Sequence, residues 1–160
     1  MTDAHSTAKA ASESLERALQ HGRDDVEGIV ALYTDDACLF PPGGDFDGSE
    51  SHGFFDGGSK PIERLSKAYT RSYWTHVYSM LTGGYKYVHQ PLSIDVVGNI
   101  AHEVGRYSLA GSVHTDTGVT QVENGVYSIL WRQEQDEWKI AVHILNSASR
   151  PPWVAAYLST

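Results

Sequence analysis

Lysine and arginine are the minority charges in this 160-residue chain: 12 of them stand against 20 Asp and Glu, for a formal net charge of -8 with His neutral. The acids are scattered rather than blocked, and the positive footprint that nucleic acid or an anionic membrane needs is missing. A neutral or apolar small molecule is compatible with that balance. Cysteine is nearly absent. Cys38 stands alone, so it has no intrachain disulfide partner, and with no base beside it in sequence it reads as a small buried residue rather than a nucleophile. No apolar run approaches the roughly 20 residues of a membrane span. The opening "MTDAHSTAKAASESLERAL" lacks the basic and apolar regions of a signal peptide, so a cytoplasmic location is expected.

Motifs for metal, phosphate and nucleophilic chemistry are also lacking. "HEVGR" at His102 has no second His at helical spacing, lies on a predicted strand, and has no Cys pair to complete a zinc set. "DFDGSE" supplies Asp45, Asp47 and Glu50 without the glycine at position six and glutamate at position twelve of a calcium loop. "PPGGDFDG" is followed by no Lys-Ser/Thr, and no G-x-S-x-G elbow occurs. The expectation is therefore no metal and no cofactor.

What is present fits one domain, with 41% hydrophobic and 11% aromatic residues over a length that can bury a sizeable core. Residues Ala8 to Gln20 form a helical pattern with Ala11, Leu15, Ala18 and Leu19 on one face and Gly22 as its stop. Asp24 can cap a second, shorter helix through Tyr33, and "ACLF" reads as a strand ending at Pro41-Pro42. A third helix is predicted from Ser59 as N-cap, with Pro61 in its first turn, to about Leu81. Its inner stripe is Ile62, Leu65, Tyr69, Tyr73, His76 and Met80, with Trp74, Tyr78 and Leu81 turned partly away. The second half then changes period: "YVHQPLSIDVV", "IAHEVGRYSLAG", "TQVENGVYSILWRQ" and "EWKIAVHILNS" read as an antiparallel meander. A two-residue turn at Gly98-Asn99 pairs Val97 with Ile100 and Asp95 with His102, and a loop from Gln133 to Asp136 pairs Trp131 with Trp138 and Tyr127 with Val142. Alternation then assigns Leu92, Ile94, Val96, Ala101, Glu103, Gly105, Tyr107, Tyr127, Ile129, Trp131, Trp138, Ile140, Val142, Ile144 and Asn146 to the inner face. The other face, with His102, Val104, Val126, Leu130, His143 and Leu145, is too apolar to be simply wet, and a second subunit would cover it. The single domain, residues 1–160, carries a Gly-rich lid-like loop at 42–58 and a C-terminal arm at 149–160.

The order helix, helix, strand, helix, meander resembles the nuclear transport factor 2-like superfamily. "LERALQHGRDDVEGIVALYTDDACLFPPGG" is similar to the start of its steroid isomerases and SnoaL-like proteins, "GSKPIERL" continues the match, and "WKIAVHILNS" resembles the last strand of bacterial SnoaL-like proteins. The resemblance implies an α+β fold: a cone-shaped barrel of a curved antiparallel sheet with a mixed edge, wrapped around three helices from the N-terminal half. It specifies the reaction poorly, because the superfamily holds isomerases, cyclases, epoxide hydrolases, dehydratases and non-enzymatic association domains. The proton-shuttling Asp of the steroid isomerases falls at Pro41, their helix-one Tyr at about Leu15, and their protonated Asp near Tyr127. Pro41 cannot move a proton, so an isomerase reaction using the family groups is not expected.

The candidates for chemistry are Glu103, His76 and Tyr127. A buried Glu103 beside Tyr127 would titrate near neutrality as a general acid or base; alternatively a bulge turns it to solvent, or it pairs with Arg106 or Lys139. His76 exchanges a proton with a bound molecule or is a satisfied core histidine. Tyr127 donates to a developing oxyanion if it faces the cavity. Tyr107 and Asn146 aim polar groups into the cavity or bond to backbone; Tyr33, Phe40, Tyr69, Tyr73, Trp74 and Trp131 form its wall, and Phe54 and Phe55, with His52, close it from the loop. Two functions remain: a cofactor-independent acid–base enzyme (isomerase, cyclase, dehydratase or epoxide-opening) on a small, largely apolar or oxygenated molecule, or a non-catalytic ligand-binding or homodimeric association module.

Overall fold

The computed structural model describes residues 3–42, 66–113 and 120–148. The lid-like loop with His52, Phe54 and Phe55, the start of the third helix at Ser59, Pro61, Ile62 and Leu65, and the C-terminal arm lie outside the described residues. Helix α1 spans Ala4–Gln20 and buries Ala8, Ser12, Leu15 and Leu19, one stripe at helical spacing. Tyr78 donates its hydroxyl to the Leu19 carbonyl, which fixes the end of α1 against the third helix. Helix α2, Val26–Val30, is capped by Asp25, whose carboxylate accepts from Gly28 N at 2.9 Å. Asp25 takes the cap expected of Asp24, and Tyr33 opens a strand rather than closing the helix. Ile140 N bonds to the Leu32 carbonyl at 2.8 Å, so the last strand captures the chain there and strand β1 runs Tyr33–Phe40. Helix α3, Lys67–Ser79, is capped by Ser66, which accepts from Tyr69 N. Trp74 and Tyr78 are buried with Tyr69 and Tyr73, a correction to the narrow stripe, because α3 packs on α2 as well as on β1 and the strand that follows α3.

The sheet has five strands in the order β1-β5-β4-β3-β2, with β2 at Leu81–Val97, β3 at Ile100–Val113, β4 at Thr120–Glu134 and β5 at Glu137–Ser147. Strands β2 to β5 form an antiparallel meander and β1 joins β5 in parallel, so the fold is α+β with an open, mixed sheet. The first hairpin pairs Val97 with Ile100 and Asp95 with His102, and Gly98 takes the positive φ of 61° that its turn needs. The last hairpin is tighter than expected. Gln135 and Asp136 both have positive φ, 49° and 67°, as a two-residue type I′ turn requires, and Trp131 pairs with Ile140 rather than Trp138.

Two bulges overturn the simple alternation. Leu92 has no partner between the Pro91–Gly105 and Ser93–Val104 pairs, and Ala141 has none between Trp131–Ile140 and Leu130–Val142. One extra residue reverses which side each later side chain takes. Beyond Ala141, His143 and Leu145 are buried while Ile144 and Asn146 are exposed, and Tyr127 lies opposite Leu145 rather than Val142. Before Leu92, His89 is buried on the same side as Ile94, and Leu92 itself is exposed. Asn146, expected in the cavity, therefore faces outward. Among the described residues no helix is long and apolar enough to cross a membrane.

Candidate functional site

Glu103 sits on β3 with no exposed surface. Its Oε1 accepts from Ser12 Oγ of α1 at 2.9 Å, His89 Nε2 of β2 at 2.9 Å and Tyr127 Oη of β4 at 2.7 Å; its Oε2 accepts from Trp131 Nε1 at 2.9 Å. Ser12 Oγ also lies 3.3 Å from His89 Nε2, and the His89 ring stacks on Tyr127 at a centroid distance of 4.2 Å. Gly105 makes this arrangement possible, because a Cβ there would lie 2.4 Å from Tyr127 Oη. Burial pushes the Glu103 carboxyl up, but the bonds and charge of His89, with Tyr127 and Ser12, outweigh it and hold the group below the usual carboxylate range. Glu103 is thus buried beside Tyr127 as expected, yet as a fully engaged anion paired with a histidine, not with Arg106 or Lys139.

A second cluster is built on β1, β5 and α3. Trp74 Nε1 donates to Tyr33 Oη at 3.2 Å, and Tyr33 Oη lies 2.7 Å from His143 Nδ1. His143 is 1% exposed, its Nε2 has no hydrogen-bond partner among the described residues, and its ring is flanked by Tyr33, Trp74 and Tyr127. Burial, with repulsion from His89, pulls its pKa down to about 3 against a smaller opposing pull from Glu103, so the imidazole is neutral at physiological pH. Burial likewise raises the Tyr33 hydroxyl.

The third cluster holds the other buried acid. Glu123 on β4 is 3% exposed and its Oε1 accepts from Tyr107 Oη at 2.7 Å. Ser147 also hydrogen-bonds to this pair. Desolvation raises the Glu123 carboxyl to about 7, because the bonds from Tyr107 and Ser147 only partly offset it. Tyr73 of α3 links the clusters: burial first, then the charge of Glu123 and the nearby Tyr107, Tyr33 and Tyr69 hydroxyls, raises its own hydroxyl well above normal. Tyr87 packs between Tyr107 and Trp74.

Of the expected residues, Glu103, Tyr127 and Trp131 meet in the first cluster, Tyr33 and Trp74 in the second, and Tyr107 in the third. Tyr69 and Tyr73 are buried on α3, and Phe40 is half-buried. His76 is half-buried on α3, with a pKa lowered by burial; it is not among the donors to Glu103. Sequence reading missed Glu123, Ser12, His89 and His143. Glu123 was within reach, since stepping back from Tyr127 through Gly125 places it on the inner face. Ser12 is the one polar residue in the α1 stripe, and both histidines were hidden by the bulges.

Two clefts among the described residues reach these clusters from outside, one lined in part by Tyr107 and Ser147 and the other by Ser12. One of about 470 Å³ lies over outward residues including Gln90, Arg106, Asn124, Val126 and Asn146, and one of about 560 Å³ separates Lys9, Glu13 and Glu16 of α1 from Leu92 and Ser93 of β2. Among the described residues no group of three His, Cys, Asp or Glu is placed to hold a metal ion.

No protein-family model and no curated protein matches the chain. Solved structures do. A ketosteroid isomerase-like protein from Erwinia carotovora atroseptica is 18% identical, with a TM-score of 0.65 over 94% of this chain and 100% of that one. A putative scytalone dehydratase from Novosphingobium aromaticivorans is 10% identical, with a TM-score of 0.65 over 89% of this chain and 83% of that one. A putative calcium/calmodulin-dependent protein kinase II association domain from Xanthomonas campestris is 14% identical, with a TM-score of 0.63 over 94% of this chain and 91% of that one. At these identities the likeness carries architecture and not chemistry, and by it the chain has the nuclear transport factor 2-like fold.

Proposed function

We propose that the protein is a cofactor-independent acid–base catalyst for a small, largely apolar molecule held between α3 and the inner face of the sheet. The observation that supports this most is Glu123, a buried carboxyl poised to gain or lose a proton at about 7, which is the range a general acid or base needs. Tyr107 fixes its orientation, and the aromatic groups Tyr69, Tyr73 and Tyr87 give the apolar surroundings that such a ligand would enter. Glu103 contributes differently: its oxygens accept from four side chains, so it acts as a fixed anion that positions Tyr127 and His89. Dehydratase and isomerase names among the structural neighbours fit the same class of proton transfers. The test is deuterium incorporation in D2O next to the carbonyl of cyclic ketones such as 1-tetralone, run beside a panel of epoxides and hydroxylated bicyclic compounds. Glu123→Gln should abolish turnover while the variant stays folded. Full activity in that variant, or no turnover of any panel member by the native protein, sinks the reading.

The outer face supports a second reading, a homodimeric association module. Val126 and Ile144 are 50% and 39% exposed there, beside Val104, an apolar set that a second copy would cover. Sedimentation of the native protein against Val126→Glu decides it: a dimer should become a monomer, and a native monomer ends the idea.

A further inference from the structure

His143 presents a buried ring nitrogen, Nε2, that no described residue hydrogen-bonds. Trp74 Nε1 can only donate, so Tyr33 Oη receives that bond at 3.2 Å, and the hydroxyl hydrogen is then free to go to His143 Nδ1 at 2.7 Å. A neutral imidazole whose Nδ1 accepts must hold its hydrogen on Nε2. That N–H is buried, with the whole residue 1% exposed, and meets no acceptor among the described residues. Leaving such a group unpaired is unfavourable, a cost that a ligand oxygen would remove. The relay Trp74–Tyr33–His143 has the form of a device that fixes one tautomer and aims it.

We propose that His143 Nε2–H is the hydrogen-bond donor for the carbonyl oxygen of a neutral, flat, mostly apolar ligand. The assignment deepens the acid–base reading above and rests on it for the identity of the reaction, though not for the geometry. The ring neighbours Tyr33, Trp74 and Tyr127 offer aromatic faces and edges rather than charge. Burial is what selects against anions: His143 is uncharged, His89 and Glu103 act on it with opposite signs, and a carboxylate or phosphate entering there would give up its water for one neutral donor. A neutral carbonyl avoids that desolvation cost and still gains from the donor as negative charge develops on its oxygen.

The experiment is ¹⁵N-edited NMR of the native protein with three probes: 1-tetralone, tetralin, which has the same rings without oxygen, and 1-naphthoate. The expected result is a His143 proton on Nε2 in the free protein, a downfield shift of that proton with 1-tetralone, no such shift with tetralin, and roughly tenfold weaker binding of 1-naphthoate. Tyr33→Phe, which removes the group that fixes the tautomer, should split the imidazole between its tautomers and weaken 1-tetralone about tenfold. A proton found on Nδ1, an Nε2–H signal unmoved by 1-tetralone and so held against Tyr127, or equal binding of 1-naphthoate overturns the proposal. Failure of the two ideas is separable with Glu123→Gln. A retained His143 shift with exchange abolished supports both, whereas a retained shift with exchange intact removes Glu123 and leaves His143 standing.

Discussion

Glu103 and Glu123 are the same residue type on adjacent strands of one sheet face, both buried, and they end in opposite protonation regimes. Glu103 meets Ser12, His89, Tyr127 and Trp131, and the donors win over desolvation. Glu123 meets Tyr107 and Ser147, and desolvation wins, taking it to about 7. Burial alone therefore does not mark a catalytic acid. The deciding quantity is how many donors the fold commits to the charged form, and a carboxylate that accepts from four side chains is a structural post.

That contrast can be broken by mutation, and the largest effect belongs to Glu103. Glu103→Gln leaves His89 buried without its anion and turns an amide N–H toward donors; unfolding in urea should show a loss of about 3 to 5 kcal/mol at pH 7. Because the folded carboxyl titrates low, its stabilisation is present above the ordinary carboxylate range and is lost as pH falls through the folded value. Glu123→Gln should do the reverse. The unfolded carboxyl loses its proton near 4.5 and the folded one near 7, so native stability falls as pH rises across that window. The variant should escape the fall and be the more stable protein at pH 8, by up to roughly 3 kcal/mol. Thermal melts from pH 4 to pH 8 read both signs, and a native protein with a flat profile between those two values would contradict the assignment to Glu123. Ser12→Ala removes one of four donors and should cost about 2 kcal/mol, with Glu103 still ionised at neutral pH. The smallest change is Tyr107→Phe, about 1 kcal/mol. Its signature is a Glu123 titration moved further upward in a carboxyl ¹³C experiment, and a downward move would mean that Tyr107 is not its donor.

Much of the architecture was legible because it rests on period and turn chemistry. The α1 stripe, the switch to strands after Leu81 and the Gly98 turn each leave a local mark, and the pairs Val97–Ile100 and Asp95–His102 followed from the turn alone. The inner positions of Glu103, Tyr107, Tyr127 and Trp131 also followed, because β3 and β4 pair without interruption. Legibility stopped at the bulges. Pro91 offered a cue, since a proline inside a strand is at home at a bulge, and it stands directly before Leu92. Ala141 offered none: "IAVHIL" is apolar at nearly every position, and such a run does not show which residue is the extra one. The helix-capping shift from Asp24 to Asp25 and the early start of β1 at Tyr33 depended on pairing with β5, a contact remote in sequence. Glu123 needed no more information, only two further steps along β4.

The bulges also bear on how the chain tolerates changes of length. Ile140 points inward, Val142 outward and His143 inward with Ala141 as the spare residue. Deleting Ala141 would therefore leave a regular strand with His143 still in place. The same holds for Leu92, whose loss keeps His89 and Ile94 on their present side. Removing Lys139 or Gln90 instead would rotate part of the strand by half a repeat and expel a buried aromatic or imidazole. A scan of single-residue deletions along β2 and β5 should thus find two permissive sites in otherwise intolerant strands, at the residues that hid the histidines from alternation.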